Sequence, residues 1–210
     1  MPRMPRTLLT FVVATLLGLG SAFAQEGGAG AGRVEVGAFP GGGMFFTSTT
    51  KTAQPDFGNY ALGASFTGNI NRWVGVEGEL GGGIGIRQAL TFNEGTLANQ
   101  KTPNMMAYNG NLVFSPGGSD RAVVPYATGG IGGLTMFNTT DVANLGVTAN
   151  ETYFTGNLGG GLKWFSTRHW GVRGDYRFIT IKSKDTAPLF FGQQETRYGH
   201  RVYGGLVWTY

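Results

Sequence analysis

Hydrophobic and polar residues alternate with a period of two through eight segments of the chain, residues 33–45, 57–70, 73–87, 104–114, 123–137, 153–165, 170–181 and 197–210. Successive side chains of an extended strand point to opposite faces, so this period predicts eight strands, each with one apolar and one polar face. Segment 73–87 shows it most clearly: Val74, Val76, Leu80, Ile84 and Ile86 interleave with Glu77, Glu79, Gly81, Gly83 and Gly85. In segment 170–181, Trp170, Val172, Tyr176 and Phe178 oppose Arg173, Asp175 and Arg177. In the last segment Val202, Leu206, Trp208 and Tyr210 share one phase, and Arg201, Gly205 and Thr209 the other. Glycines interrupt segment 123–137, and its two faces stay unassigned.

The connections alternate in length. Those at 71–72, 115–121 and 166–169 are short, whereas those at 47–56, 88–103, 138–151 and 182–196 are long. Each segment is near or above the ~9 to 11 residues that a tilted strand needs to cross a bilayer. Alternation alone does not say which face meets lipid, because a soluble barrel reverses it. Three features decide for an apolar exterior. The polar phase is mostly Gly, Asn, Ser and Thr, which suits a narrow lumen better than a water-facing wall. Aromatics gather at the strand ends, with Trp73, Phe114, Trp164, Trp170 and Trp208 towards the short turns and Phe46, Phe57, Phe137, Tyr153 and Phe178 towards the long loops, as two interfacial girdles would require. Finally, strands in lipid must pair every backbone group, which only a closed barrel does. The expected fold is all-β, an eight-stranded antiparallel up-and-down transmembrane β-barrel with its termini on the short-turn side.

Composition adds export and removes several function classes. Residues 1–24 read as a secretory signal: Arg3 and Arg6, an apolar stretch from Leu8 to Leu19, then Ala22-Phe23-Ala24 as a cleavage site. Residues 25–32 are a glycine-rich lead-in, and 33–210 form the barrel. Beyond the leader no run approaches the ~20 apolar residues of a membrane helix. The formal net charge is +4, and without Arg3 and Arg6 it is +2, from 14 basic and 12 acidic side chains. With 13% charged residues the chain has few charges rather than a basic surface, so nucleic-acid binding is not expected. The chain holds 38 Gly and no Cys, which excludes disulfides and thiolate metal sites.

The segments Val124-Pro125-Tyr126-Ala127-Thr128-Gly129-Gly130-Ile131-Gly132, Trp170-Gly171-Val172-Arg173-Gly174-Asp175-Tyr176-Arg177-Phe178 and Gly204-Gly205-Leu206-Val207-Trp208 resemble the eight-stranded outer-membrane barrels of the OmpA, OmpX and opacity-protein type. The resemblance covers essentially the whole mature chain and specifies fold more than activity. It implies a bacterial (Gram-negative) outer-membrane location and insertion by the assembly machinery through the C-terminal strand. Two departures stand out. The last residue is Tyr210 where such barrels commonly end on Phe, and no peptidoglycan-binding segment follows the barrel, so no cell-wall tether is expected.

The inward phase collects Glu35, Glu77, Glu79 and Asp175 with Lys163, Arg173, Arg177 and Arg201, and Arg33 at the start of the first segment. Opposite charges confined in a lumen pair rather than stay bare, so these residues are expected to form a charge network that plugs the barrel. Gating of a small ion pathway by the same pairs is the alternative. Gly81-Gly82-Gly83 and Gly129-Gly130 lack a following helix, so they read as barrel packing rather than a phosphate loop. Of two histidines, His169 lies in a short turn and His200 on the apolar phase of the last strand. His200 has no serine two residues on and no evident acid, which leaves a lipid-modifying enzyme as the least favoured reading. No catalytic, cofactor or metal residues are assigned. The long loops carry Lys51, Lys101, Lys182 and Lys184 with Phe92, Phe190 and Phe191. The expected function is a structural or surface adhesion and interaction role through those loops, with a small-solute or ion pore as the alternative. The expected partners are outer-membrane lipid or lipopolysaccharide and a surface ligand, and the expected state is a monomer.

Overall fold

The computed structural model describes residues 34–47, 54–92, 94–188, 190–193 and 196–210. The leader, the lead-in, Arg33 and Lys51 lie outside these residues. Ten strands follow in order: β1 (Val34–Thr47), β2 (Phe57–Asn69), β3 (Val74–Gly85), β4 (Arg87–Phe92), β5 (Gly95–Lys101), β6 (Met105–Phe114), β7 (Val123–Met136), β8 (Glu151–Phe165), β9 (Trp170–Lys182) and β10 (Thr196–Thr209). Eight of them close a barrel in the order β1-β10-β9-β8-β7-β6-β3-β2, every pair antiparallel, and β4 with β5 forms a separate hairpin. The seam joins first strand to last, with Glu35 opposite Thr209 and reciprocal bonds between Val34 and Tyr210. Closure leaves no open edge in the wall, the condition for strands to span lipid.

Burial fixes the faces. Leu80, Leu112, Ile131, Leu158, Leu162 and Leu206 are all exposed around the outside, while Glu77, Lys163, Arg173, Arg177 and Arg201 are buried within. This inverts a water-soluble barrel and gives the wall an apolar exterior. The faces of β7, unassigned from sequence, are resolved: Val124, Tyr126, Thr128, Leu134 and Met136 point inward and Val123, Ala127 and Ile131 outward.

In β1 the alternation changes phase. Up to Ala38 the even phase faces out, with Val36 and Ala38 exposed and Glu35 and Gly37 buried, but Met44 and Phe46 are buried and Phe45 is exposed. The pairing register shifts at the same place, between Ala38 and Gly41 against β10 and between Phe39 and Gly43 against β2. Pro40, which has no N–H to give to a ladder, occupies this bulge, and Tyr60 Oη donates to its carbonyl at 2.5 Å. The inserted residue corrects the girdle expectation: Phe46 faces the lumen. Phe57 and Tyr153 also lie on inward phases and are buried, so the loop-side girdle is built instead from Phe45, Phe154, Phe178 and Tyr198.

The three short turns share one rim. Asn71 Oδ1 accepts from the N–H of Trp73 and Val74 at 2.8 and 2.9 Å, and Thr167 Oγ1 accepts from Trp170 N–H at 2.9 Å. The Ser-Pro-Gly-Gly turn holds Gly117 and Gly118 at φ of 110° and 92°, where a side chain would be strained. At the opposite rim the expected loop 88–103 is instead the β4–β5 hairpin, and β3 stops at Gly85 rather than running on to Arg87. Gln88 fastens the hairpin to the wall: its side-chain Oε1 accepts from Gly58 N–H at 3.1 Å and its Nε2 donates to Gly58 O at 2.7 Å, replacing a ladder pair.

Candidate functional site

The lumen is filled in three layers. Nearest the short-turn rim lies a cavity of about 490 Å³ whose lining includes Glu35, Asp120, Arg121, Ser166 and Arg168. Its inner end is Glu35, which is ion-paired with Lys163 and accepts from Asn69 Nδ2 at 2.8 Å.

Above this pair the charges form one connected chain. Arg173 reaches Glu77 at 2.6 Å and Asp175 at 2.8 Å, and Arg177 reaches Glu77 at 2.8 Å, Asp175 at 2.9 Å and Glu79 at 3.2 Å. Arg201 ends the chain on Glu79 at 2.5 Å. Tyr126 Oη donates to Asp175 at 2.5 Å and accepts from Arg173 Nε at 2.7 Å, and Asn111 Nδ2 donates to Glu77 at 3.2 Å. The network spans β3, β6, β7, β9 and β10, so it ties the wall across its diameter. Buried charges persist only when paired and hydrogen-bonded, and here carboxylates and guanidinium groups interleave.

The loop-side half is closed by apolar packing. Met44, Phe46, Phe57, Met136, Tyr153 and Ile181 from the wall meet Leu90 of the hairpin, Val142 and Leu145 of a 3₁₀ helix at Thr140–Leu145, and Phe190 and Phe191 of the last loop. Phe191 packs on Tyr153 and Phe46 with ring centroids at 4.9 and 6.1 Å. Arg197, on the inward phase of β10, donates to the carbonyls of Phe190, Phe191 and Pro55 at 2.9, 3.2 and 2.5 Å and lies over the Phe57 and Phe191 rings. At the surface, Lys101 pairs with Asp141 at 2.8 Å and Asn144 donates to Gln100, clasping the hairpin to the 3₁₀ helix. The hydrogen bond and charge of Lys101 hold the Asp141 carboxyl below its ordinary value of 3.8.

With this geometry in view, a model of the family described as the outer membrane protein beta-barrel domain matches residues 10–209. The chain belongs to that family. In fold, this outer-membrane barrel is similar to Neisserial surface protein A, with a TM-score of 0.54 at 10% identity over 84% of this chain and 95% of that one. It is similar to OprG from Pseudomonas aeruginosa, at 0.52 and 16% identity over 87% and 98%. The N-terminal barrel domain of Pseudomonas aeruginosa OprF gives 0.50 and 14% identity over 86% and 99%. At such identities the likeness is one of fold. No match is found among curated proteins. Family membership locates the barrel in the outer membrane, with its apolar wall in lipid.

All eight charges named from the sequence, Glu35, Glu77, Glu79, Lys163, Arg173, Asp175, Arg177 and Arg201, are buried inside this outer-membrane barrel and ion-paired. Six share one network, while Glu35 and Lys163 form a separate pair nearer the rim. Sequence reasoning passed over Arg197, Tyr126 and Asn69; Arg197 lies four residues before Arg201 on the same phase, which was a sufficient signal. Phe190 and Phe191 are not loop decoration, being buried in the mouth, and Phe92 is half-buried against the same cluster. Lys182 and Lys184 are exposed. His169 Nδ1 lies 3.0 Å from the Thr209 carbonyl, and His200 Nδ1 lies 2.8 Å from Tyr176 Oη on the outer wall.

Proposed function

We propose that this barrel serves as a structural element of the outer membrane that displays a rigid crown of loops as an interaction surface. One observation carries the reading: the lumen is shut twice, by the Arg173–Glu77–Arg177–Glu79–Arg201 network and by the apolar crown, so the loops rest on a solid base. In this reading residues 1–24 are a cleaved signal, β10 is the strand offered to the assembly machinery, the barrel is a monomer, and its chemistry is recognition rather than catalysis. Reconstitution in a planar bilayer tests it. The expected result is no unitary conductance steps; regular steps from the wild-type protein would overturn it.

A second reading, a gated pathway for small solutes, is favoured by the cavity at the short-turn rim, which brings solvent-sized space as far as Glu35. It predicts that Glu77→Ala produces steps that the wild type lacks.

A further inference from the structure

On the outer wall, β9 and β10 carry an unusual patch at the loop-side girdle. Outward positions Phe178, Thr180 and Lys182 pair across with His200, Tyr198 and Thr196, and Phe45 of β1 lies on the other side of His200. The His200 ring sits against Tyr176 and Phe178 at centroid distances of 6.1 and 5.4 Å, and Tyr198 against Phe178 at 5.3 Å. When Tyr176 Oη donates to His200 Nδ1, at 2.8 Å, the neutral ring keeps its proton on Nε2, which has no partner among the described residues. Tyr198 and Lys182 are exposed, and among the described residues the Tyr198 hydroxyl has no hydrogen-bond partner and Lys182 no ion pair. The nearest acid along β8, Glu151, accepts a bond from Tyr153 at 2.6 Å.

The height of the patch says what it meets. An antiparallel strand rising ~3.4 Å per residue at a tilt of ~40° climbs ~2.6 Å per residue along the membrane normal. Ten residues separate Trp208 in the short-turn girdle from Tyr198, giving ~26 Å, the thickness of the apolar band. Lys182 stands twelve residues above Trp170, at ~31 Å, just outside it. Down this patch Lys182, Tyr198 and His200 follow at intervals of ~7 to 8 Å, the spacing of diagonal and same-strand neighbours on one face. An ammonium, a phenol and an imidazole N–H in a column, beside aromatic rings, at the level where acyl chains give way to headgroups, form a receptor for an anionic sugar-bearing lipid. The cation takes a phosphate, the two neutral donors take hydroxyl or phosphate oxygens, and the rings take the apolar face of the sugar.

We infer that the column Lys182–Tyr198–His200 binds the phosphorylated headgroup of an outer-leaflet glycolipid. This rests on the orientation in which the long loops face outward. Folded protein in detergent is titrated with diphosphorylated lipid A, dephosphorylated lipid A and phosphatidylglycerol, and bound lipid is counted by native mass spectrometry. The expected result is a preference of about tenfold for diphosphorylated lipid A, lost in Lys182→Gln/His200→Gln and kept in Lys184→Gln, which removes the same charge two residues further out. Equal retention of the dephosphorylated form or of phosphatidylglycerol by wild type would overturn it, as would an equal loss in Lys184→Gln, the mark of diffuse attraction. A heat-dependent gel shift of each variant certifies its fold. Labelling of Ala143→Cys on intact cells tests the orientation separately.

Discussion

The two halves of the lumen are closed by opposite means. Towards the short turns, guanidinium groups and carboxylates interleave, and each depends on partners from other strands. Towards the loops, rings and methyl groups fill the mouth with little need of direction. A charged plug fixes which strands face each other, but it fails sharply if one member is removed, because the deserted charge stays buried. An apolar plug tolerates rearrangement, and its loss is graded by how far the surroundings collapse. The difference teaches that the lower half specifies the barrel while the upper half seals it.

Glu77 is the place to break the comparison. It is fully buried and holds both Arg173 and Arg177, so Glu77→Ala is expected to cost ~3 to 5 kcal/mol in reversible urea unfolding of the lipid-embedded barrel. A loss under about 1 kcal/mol would mean that the network is a solvated decoration. Phe191→Ala asks the same of the crown. Its expected cost is about 3 kcal/mol, the lower end for a deleted core ring, because a loop can settle into the gap. If Phe191→Ala cost more than Glu77→Ala, the roles of the halves would be reversed. Leu158→Arg sharpens the contrast between lumen and wall. Leu158 is 68% exposed on the exterior, and an arginine there should cost ~2 to 4 kcal/mol in a bilayer. A neutral result would remove lipid from that face.

The smallest effect belongs to the clasp of Lys101 and Asp141. Because the folded carboxyl titrates below its ordinary value of 3.8, its contribution is present above that value and is lost as the pH falls through the lower folded one. Hydrogen exchange in the β4–β5 hairpin and the 3₁₀ helix should rise across that acidic window while the wall strands do not change. Asp141→Asn should abolish the pH dependence.

Most of the wall was legible because a period of two survives wherever one face meets lipid and the other polar packing. The eight lumen charges followed from that phase alone. What escaped has physical causes. Glycines at 129, 130, 132 and 133 erase the contrast that alternation needs, so β7 could not be oriented. The hairpin 87–101 stands beyond the wall, where no lipid enforces a pattern. Phe190 and Phe191 looked like surface residues because their burial comes from a loop folding back over the mouth, with Arg197 holding its carbonyls, a contact between elements that no local spacing encodes.

The bulge at Pro40 has a consequence for how the barrel shuts. It lies on the seam, so the ladder between β1 and β10 consists of two runs, four pairs from Glu35 to Ala38 and seven from Gly41 to Thr47. Each run has its own frame of reading, and a residue's destination depends on its run rather than on whether its number is odd or even. Deleting one residue between Ala38 and Gly41 would join the two runs into one unbroken alternation in which Met44 and Phe46 still face the mouth and Phe45 the acyl chains, so a shortened first strand should still close the seam with every side chain on its present side.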